Sequence, residues 1–428
     1  MDNKPIDMTG ILDFVDFLEK TQIALSSQNF NLLKNELYNR LWAYGEHLAH
    51  QPSYDYYSKQ IPFRVTSKKL KKHGKTAGVK PNILFFSYFN NSYKFSEYNI
   101  ESPFCYYKKD IDKYDHNLLE NFRKKLETCT LNQILSAETE DAINKIKKIL
   151  TEYYSKNNFK ALFLPQDIGF WEKLHIDIFK ELKKPTFLYL HGIPGLYTKP
   201  MMNRTDYILV WGKKIKDIFI YHNFNKEKVM ILNNNKYNNE LKKEKAFSLS
   251  RILIISNTQN GGQYEDTIRL KNTSNCLLYL EMIKHVLLQL NVKTVLFRCH
   301  PGENADWYRK NIDTDFFQMD TKKSLSDVLQ EATLTIGPTS SVLFDSLYYG
   351  VPYVLFNPSQ NNVDLFDAVL VRPFDGSDKN IPCNKNMREL KTASENGICV
   401  HRTAFSEYIN LPGVPDDYAK IIKIIENQ

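Results

Sequence analysis

The chain lacks several things, and each absence narrows what it can be. No apolar stretch reaches the length needed to span a bilayer as a helix. The start, MDNKPIDMTG, is polar and acidic where a signal peptide would carry a positive start and an apolar core. Its six cysteines (Cys105, Cys129, Cys276, Cys299, Cys383 and Cys399) are scattered, with no C-x-x-C pair and no zinc spacing. A disulfide scaffold is thereby disfavoured, and reduced, mostly buried thiols are expected. Neither G-x-G-x-x-G after a strand nor G-x-x-x-x-G-K-[ST] occurs, which argues against dinucleotide-binding dehydrogenases and P-loop enzymes. Gly and Pro are modest, at 16 and 17 residues, so disorder is not the default, and there is no internal repeat or long low-complexity tract. The expectation is a cytoplasmic protein, with peripheral contact to the inner membrane left open.

What is present fits an enzyme of α/β type. A length of 428 residues suits two domains plus an extension, and 26 Tyr and 26 Phe supply ample core material. The net charge of +8 comes mostly from lysines spread through Asn-rich segments. Nucleic-acid binding does not follow from it, although a basic surface would help the approach of anionic substrates or an anionic membrane face.

In chain order, residues 1–80 read as a helical extension, with stripes at Ile11, Leu12, Phe14, Val15 and Leu18 and at Leu32, Leu33, Leu37, Leu41 and Trp42. The basic run Lys68–His73 reads as a solvated linker, with a lipid or acceptor contact as the other meaning. Residues 81–235 alternate short apolar strands with amphipathic helices, the pattern of a parallel sheet wound on both faces. Residues 236–250, polar and rich in Asn and Lys, read as a linker. The α/β rhythm restarts over 251–428. Two doubly wound, Rossmann-like domains facing a cleft are therefore expected, the strand C-terminal ends of both turned towards it.

One stretch organises the second half: TLTIGPTSSVLFDSLYYGVPYVLFNP, from Thr333 to Pro358. Leu334-Thr335-Ile336 suits a buried strand, Gly337-Pro338 breaks it, and a helix follows with Val342, Leu343, Leu347 and Tyr348 on one face. Gly350 and Pro352 end the helix as a C′ glycine followed by proline should. Tyr353–Phe356 is the next strand. Thr339, Ser340 and Ser341 then stand at a strand exit and a helix start, where a phosphate-binding turn and a plain helix cap are both open readings. Two more strand exits precede it: Ser256–Asp266, which holds Gly261-Gly262, and Arg298–Gly302, which holds His300, Pro301 and Gly302. In a parallel sheet these exits rise on one edge, so their donors can converge, and a His-Pro-Gly loop can offer an imidazole N–H to a phosphate.

These residues carry a resemblance. His300-Pro301-Gly302 followed by PTSSVLFDSLYYGVPYVLFNP resembles the second domain of GT-B glycosyltransferases of bacterial surface polysaccharides. The nearest echoes are the capsule and lipopolysaccharide β-Kdo transferases, then bacterial sialyltransferases and teichoic-acid glycerophosphotransferases. The resemblance covers roughly the second half; the first half shares only its α/β rhythm. It implies donor-phosphate binding by His300, Ser340 and Ser341, with Pro301, Gly302 and Thr339 in the same loops, and Asp345 either near a donor ribose or on the helix surface. Gln263-Tyr264-Glu265-Asp266 resembles the β-Kdo transferase segment whose Asp attacks the anomeric carbon. The match is imperfect, because Thr267-Ile268 stands where that pattern has a longer small-Ser-apolar stretch. Asp266 is the nucleophile candidate and Glu265 its alternative, against a solvated loop carboxylate for each. In the sialyltransferases the base is a first-domain Asp, which makes Asp167 the counter-candidate, with His191 as a further base or acceptor-binding group.

The function implied is transfer of an acidic sugar from CMP-Kdo, or from CMP-sialic acid, to a glycan or glycolipid acceptor, with no cofactor. Alternatives are a polyol-phosphate transferase using CDP-glycerol and a non-catalytic glycan- or nucleotide-binding partner. The pairs Asp110/Asp112 and Asp313/Asp315 match the metal-binding D-x-D pattern of transferases of another fold. Such short patterns arise often by chance, and no metal site is expected.

Overall fold

The computed structural model describes residues 18, 25–34, 36–37, 80–86, 95–103, 111–128, 131–167, 169–190, 192, 205–256, 273–300, 303, 305–321, 324–361, 363–365 and 370–427. Of the residues singled out above, Ile11, Leu12, Phe14, Val15, Leu41, Trp42, Cys105, Asp110, Cys129, His191, the loop 257–268 with Glu265 and Asp266, Pro301 and Gly302 lie outside these, as does the run Lys68–His73.

The first lobe is built on strands β1 (Asn82–Phe85), β2 (Asn99–Glu101), β3 (Phe159–Leu164), β4 (Thr186–Tyr189), β5 (Tyr207–Val210) and β6 (Val229–Ile231). They lie in the order β2-β1-β3-β4-β5-β6, every pair parallel. The second lobe uses β7 (Ile252–Ile255), β8 (Val295–Arg298), β9 (Phe317–Met319), β10 (Leu334–Gly337), β11 (Tyr353–Phe356) and β14 (Cys383–Asn384). Its order is β14-β11-β10-β7-β8-β9, again all parallel, and a two-residue hairpin of β12 (Ser359–Gln360) and β13 (Val363–Asp364) stands apart. Central strands buried on both faces are apolar throughout, as in Ile252-Leu253-Ile254-Ile255, because helices cover both sides. Two Rossmann-like lobes in the GT-B arrangement result.

The aromatic richness has a place in this plan. Phe85, Phe163, Phe187 and Tyr207 are register partners on β1, β3, β4 and β5. Their rings stack at centroid separations of 5.3, 4.7 and 5.2 Å. Such a cross-strand ladder adds ring packing to simple area burial.

Both ends of the chain are drawn into the lobes. Residues 27–34 are helical, and Leu18, Leu25, Phe30, Leu32, Leu33 and Leu37 pack with Ile143, Ile146 and Leu150 of the helix Ala137–Lys156. These six residues are thus part of the first lobe's core. At the other end, the helix Tyr418–Glu426 leaves the second lobe and lies on the first. Asp417 exchanges hydrogen bonds with Ile231 of β6 at 2.7 and 2.8 Å, and the Tyr418 ring lies 5.5 Å from that of Phe95. Buried residues of both lobes consequently form one continuous cluster, from Phe163 and Phe187 to Phe344, Phe405 and Ile421.

The segment 236–250 is not a free tether. Lys242 N–H donates to Tyr348 O at 3.0 Å and Lys245 N–H to Gly350 O at 2.7 Å. The Lys245 ammonium caps the helix Leu325–Glu331 by donating to the carbonyls of Leu329, Gln330 and Ala332.

Candidate functional site

Strand order locates the crevices. In the second lobe the chain runs outward from β7 through β8 to β9, then crosses back to place β10 on β7's other side. This reversal opens a crevice at the C-terminal ends of β7 and β10, where open α/β sheets take their ligands. In the first lobe the equivalent point lies between β1 and β3.

Three exits meet at the second-lobe crevice. His300 is exposed at the end of β8. Its backbone N–H donates to Ser256 Oγ at 3.0 Å and to Glu303 Oε2 at 2.9 Å, which ties the β8 exit to the β7 exit. The Ser256 hydroxyl also donates to Glu303, whose other oxygen accepts from the Tyr308 hydroxyl at 3.1 Å. Burial, with Glu303's charge beside it, pushes the Cys299 thiol pKa up. Arg298 is committed to the buried Asp320.

Across the crevice stands the turn after β10. Gly337 is required there: a Cβ would sit 2.3 Å from Ile255 Cγ1 and 2.4 Å from the Tyr353 hydroxyl. That hydroxyl donates to Pro338 O at 2.9 Å and pins the turn from below. Asn357, 2% exposed at the exit of β11, clamps it from the side. Its Oδ1 accepts the Thr339 N–H at 2.8 Å and its Nδ2 donates to Thr339 Oγ1 at 2.9 Å. Ser340 Oγ accepts the Val342 N–H at 3.3 Å, a weak local turn bond. Ser341 makes no side-chain cap to the helix Val342–Tyr348. Its Oγ stands 3.8 Å from where a Cβ on Gly192 would lie, so the turn faces the exit of β4 across the interlobe cleft. Ser340 and Ser341 are half-buried.

Asp345 does something else. Its carboxylate is buried and accepts from Lys236 Nζ at 2.7 Å and the Tyr237 hydroxyl at 2.9 Å, both at the start of the interlobe segment. It is not on an open helix surface. The Tyr237 ring touches Trp211 of the first lobe and Tyr348 and Phe405 of the second, so this corner joins the Ser-Ser helix to the interlobe segment. Tyr237→Phe would leave one Asp345 oxygen without its donor, at a cost of about 2 kcal/mol. Urea denaturation checks this, and an unchanged midpoint would show that the hydroxyl contributes nothing.

In the first lobe, Asp167 is 1% exposed at the exit of β3, beside the topological switch. Sequence reasoning passed over its neighbour Glu172, which is buried at the third position of the helix Phe170–Glu181. Gln166 Nε2 donates to Glu172 Oε1 at 3.0 Å, while burial, with smaller contributions from Glu36 and Asp167, raises the carboxyl pKa. A Cβ on Gly169 would lie 2.3 Å from Glu172 Oε2, so the side chain folds back over the helix start. An acid in the first turn of a helix, where it suits the helix dipole, is the signal that the sequence offered for Glu172. Asp313, of the second D-x-D pair, is held by Lys284 at 2.9 Å and by the N–H groups of Asp315 and Phe316, a turn-capping use. Among the described residues no cluster of His, Cys, Asp or Glu is arranged to hold a metal ion, and no helix is long and apolar enough to cross a membrane.

No protein-family model and no curated protein sequence matches the chain. Solved structures similar to it include a UDP-N-acetylglucosamine 2-epimerase, so named provisionally, from Listeria monocytogenes, 11% identical, covering 80% of this chain and 95% of that one with a TM-score of 0.46. The UDP-GlcNAc 2-epimerase of Methanocaldococcus jannaschii, in complex with UDP-GlcNAc and UDP, is 13% identical, with 81% and 99% covered and a TM-score of 0.46. A lipopolysaccharide outer core galactosyltransferase is 10% identical, with 81% and 99% covered and a TM-score of 0.44. These likenesses are distant, and the two Rossmann-like lobes of this chain are read from its own strand orders and registers.

Proposed function

We propose that the protein is a glycosyltransferase that moves an acidic sugar, Kdo ahead of sialic acid, from a CMP-linked donor to a capsule or lipopolysaccharide glycan at the cytoplasmic face of the membrane. The observation that carries this reading is the second-lobe crevice, where Ser256, His300 and the Thr339–Ser341 turn share one sheet edge with Ser341 facing the first lobe. His300 and the two serine hydroxyls are the groups that would hold the donor phosphate. There they stabilise the charge that grows as the anomeric C–O bond breaks and CMP departs. Pro301 and Gly302, which follow His300 in the sequence, belong to the same proposal. Asp345 is not carried forward as a donor ligand, because its carboxylate is buried against Lys236 and Tyr237.

Two routes complete the transfer. In one, Asp266 (or Glu265) attacks the anomeric carbon, and the acceptor hydroxyl then displaces it with retention. In the other, Asp167, with His191 beside the acceptor, takes the proton of the acceptor hydroxyl as it attacks with inversion. A panel of CMP-Kdo, CMP-sialic acid, CDP-glycerol and UDP-GlcNAc, read by nucleotide release and product mass, tests the donor. Turnover of UDP-GlcNAc with no cytidine donor used would overturn the reading. Intact-protein mass spectrometry with CMP-Kdo separates the routes: a Kdo-sized adduct that disappears in Asp266→Ala supports retention, and unchanged turnover in that variant rejects it. His300→Ala is expected to weaken CMP binding about tenfold. Unchanged binding would remove His300 from the phosphate site.

A further inference from the structure

We infer that Glu303 is a positioning residue of the donor site, fixing where the His300 exit stands relative to the β7 exit. The inference rests on the donor-site reading above, but its content comes from a carboxylate that reading does not use. Glu303 is 8% exposed, at the switch-point crevice. One of its oxygens accepts the His300 N–H at 2.9 Å and the Ser256 hydroxyl, and the other accepts the Tyr308 hydroxyl at 3.1 Å. Ser256 Oγ itself accepts from the His300 N–H at 3.0 Å, so its single hydrogen goes to Glu303. Three donors therefore converge on two oxygens, an acceptor role that suits the ionised acid.

The donors come from three separate elements: the β7 exit, the β8 exit and the helix Ala305–Asn311. Besides this carboxylate and the bond between Ser256 and the His300 N–H, the two exits share Ser256 N–H to Arg298 O, a long bond at 3.3 Å. Glu303 N–H also donates to His300 O at 2.9 Å, so the residue grips His300 by both backbone polar groups. A buried carboxylate is a poor way to stabilise a fold, since losing its hydration offsets most of what the contacts return. It is a good way to hold an exposed histidine loop at one distance from a serine exit. Hydrogen bonds to a phosphate weaken steeply with a displacement of well under an ångström, so that distance sets affinity.

The test uses the full chain with Glu303→Ala, Glu303→Asp and Glu303→Gln. Binding of CMP is read by calorimetry, and amide hydrogen exchange is read for the peptide containing His300. Glutamine keeps an oxygen for His300 and Ser256 and turns its NH2 to Tyr308, whose hydroxyl can accept instead of donating. Alanine removes the grip, and aspartate keeps the charge but falls one methylene short. The expected result is CMP binding weakened about tenfold or more in Glu303→Ala and Glu303→Asp, with faster exchange at His300, while Glu303→Gln stays within about threefold of wild type. Equal loss in the Gln and Ala variants would overturn positioning in favour of charge. Wild-type affinity and exchange in Glu303→Asp would overturn it outright, and this arm stands even where Glu303→Ala does not fold. If the wild-type chain binds no CMP, the donor-site reading fails separately. The exchange measurement then decides the inference alone, and unchanged exchange at His300 overturns it.

Discussion

Gly350→Ala is expected to lower stability by about 4 kcal/mol, the largest effect of any substitution considered. Two costs add. Gly350 has φ +72°, the left-handed region, where an L side chain costs about 1 kcal/mol relative to glycine. A Cβ there would also sit 2.1 Å from the Lys243 carbonyl oxygen and 2.8 Å from its carbon. That obstacle is backbone, held by Lys242 N–H to Tyr348 O and Lys245 N–H to Gly350 O on either side, so it has little room to yield. The interlobe segment would have to lift from the second lobe. Gly413→Ala is the control: its φ is +87° but nothing lies within 4 Å of the new Cβ, so it should lose only the conformational part, about 1 kcal/mol. Urea denaturation of both variants tests the argument. Equal losses would mean that the collision with Lys243 is relieved at no cost.

The same glycine shows what could be read from the sequence. A glycine after Leu347, Tyr348 and Tyr349, with proline two residues on, announces a helix end, and the observed helix stops at Tyr348 with Tyr349 as its cap. That Lys243 passes over it could not be read, because the contact joins residues far apart in the chain. Strands of four or more apolar residues were recognisable, as at Ile252–Ile255 and Tyr353–Phe356. Asn99–Glu101, Phe317–Met319 and Cys383–Asn384 were not, since short edge strands exist through the strand they pair with rather than their own content. The helix Met387–Asn396 buries only Leu390, Ala393 and Ser394, too thin a stripe to stand out. That His300, Ser340 and Ser341 stand at strand exits could be read, because a strand exit is a local pattern. Glu303 and Asn357 could not, because what they do is defined by Ser256 and Thr339, 47 and 18 residues away. The burial of Asp345 was likewise not legible. Its spacing from Ser341 puts it on the same helix, but Lys236 and Tyr237, unseen in that spacing, bury its carboxylate.

Acidification should selectively weaken the first lobe, by about 2–3 kcal/mol between pH 7 and pH 4.5, through His175. This histidine is fully buried on the helix Phe170–Glu181. Its Nδ1 lies 2.7 Å from Trp171 O, which can only accept, so Nδ1 carries the proton. Nε2 is then the acceptor for the Tyr154 hydroxyl at 2.8 Å, within an aromatic shell that includes Phe86 at 4.8 Å between ring centroids. Burial lowers the pKa to about 4 from an ordinary 6.5, with the Trp171 carbonyl only partly opposing. The folded pKa is therefore depressed, and between the two values the unfolded chain binds the extra proton. The contribution is present in full above pH 6.5 and is lost progressively as pH falls towards 4. Carboxylates titrate over the same range, so the comparison is with His175→Gln, which keeps polar reach without the titration. Because the lobes need not unfold together, stability is best followed by hydrogen exchange of peptides from Phe159 to Glu181. The wild type should lose protection faster than the variant as pH falls, and the two curves should converge on the acid side. Parallel curves from pH 7 to pH 4.5 would mean that His175 is protonated in the fold, with Tyr154 accepting from Nε2 instead of donating to it.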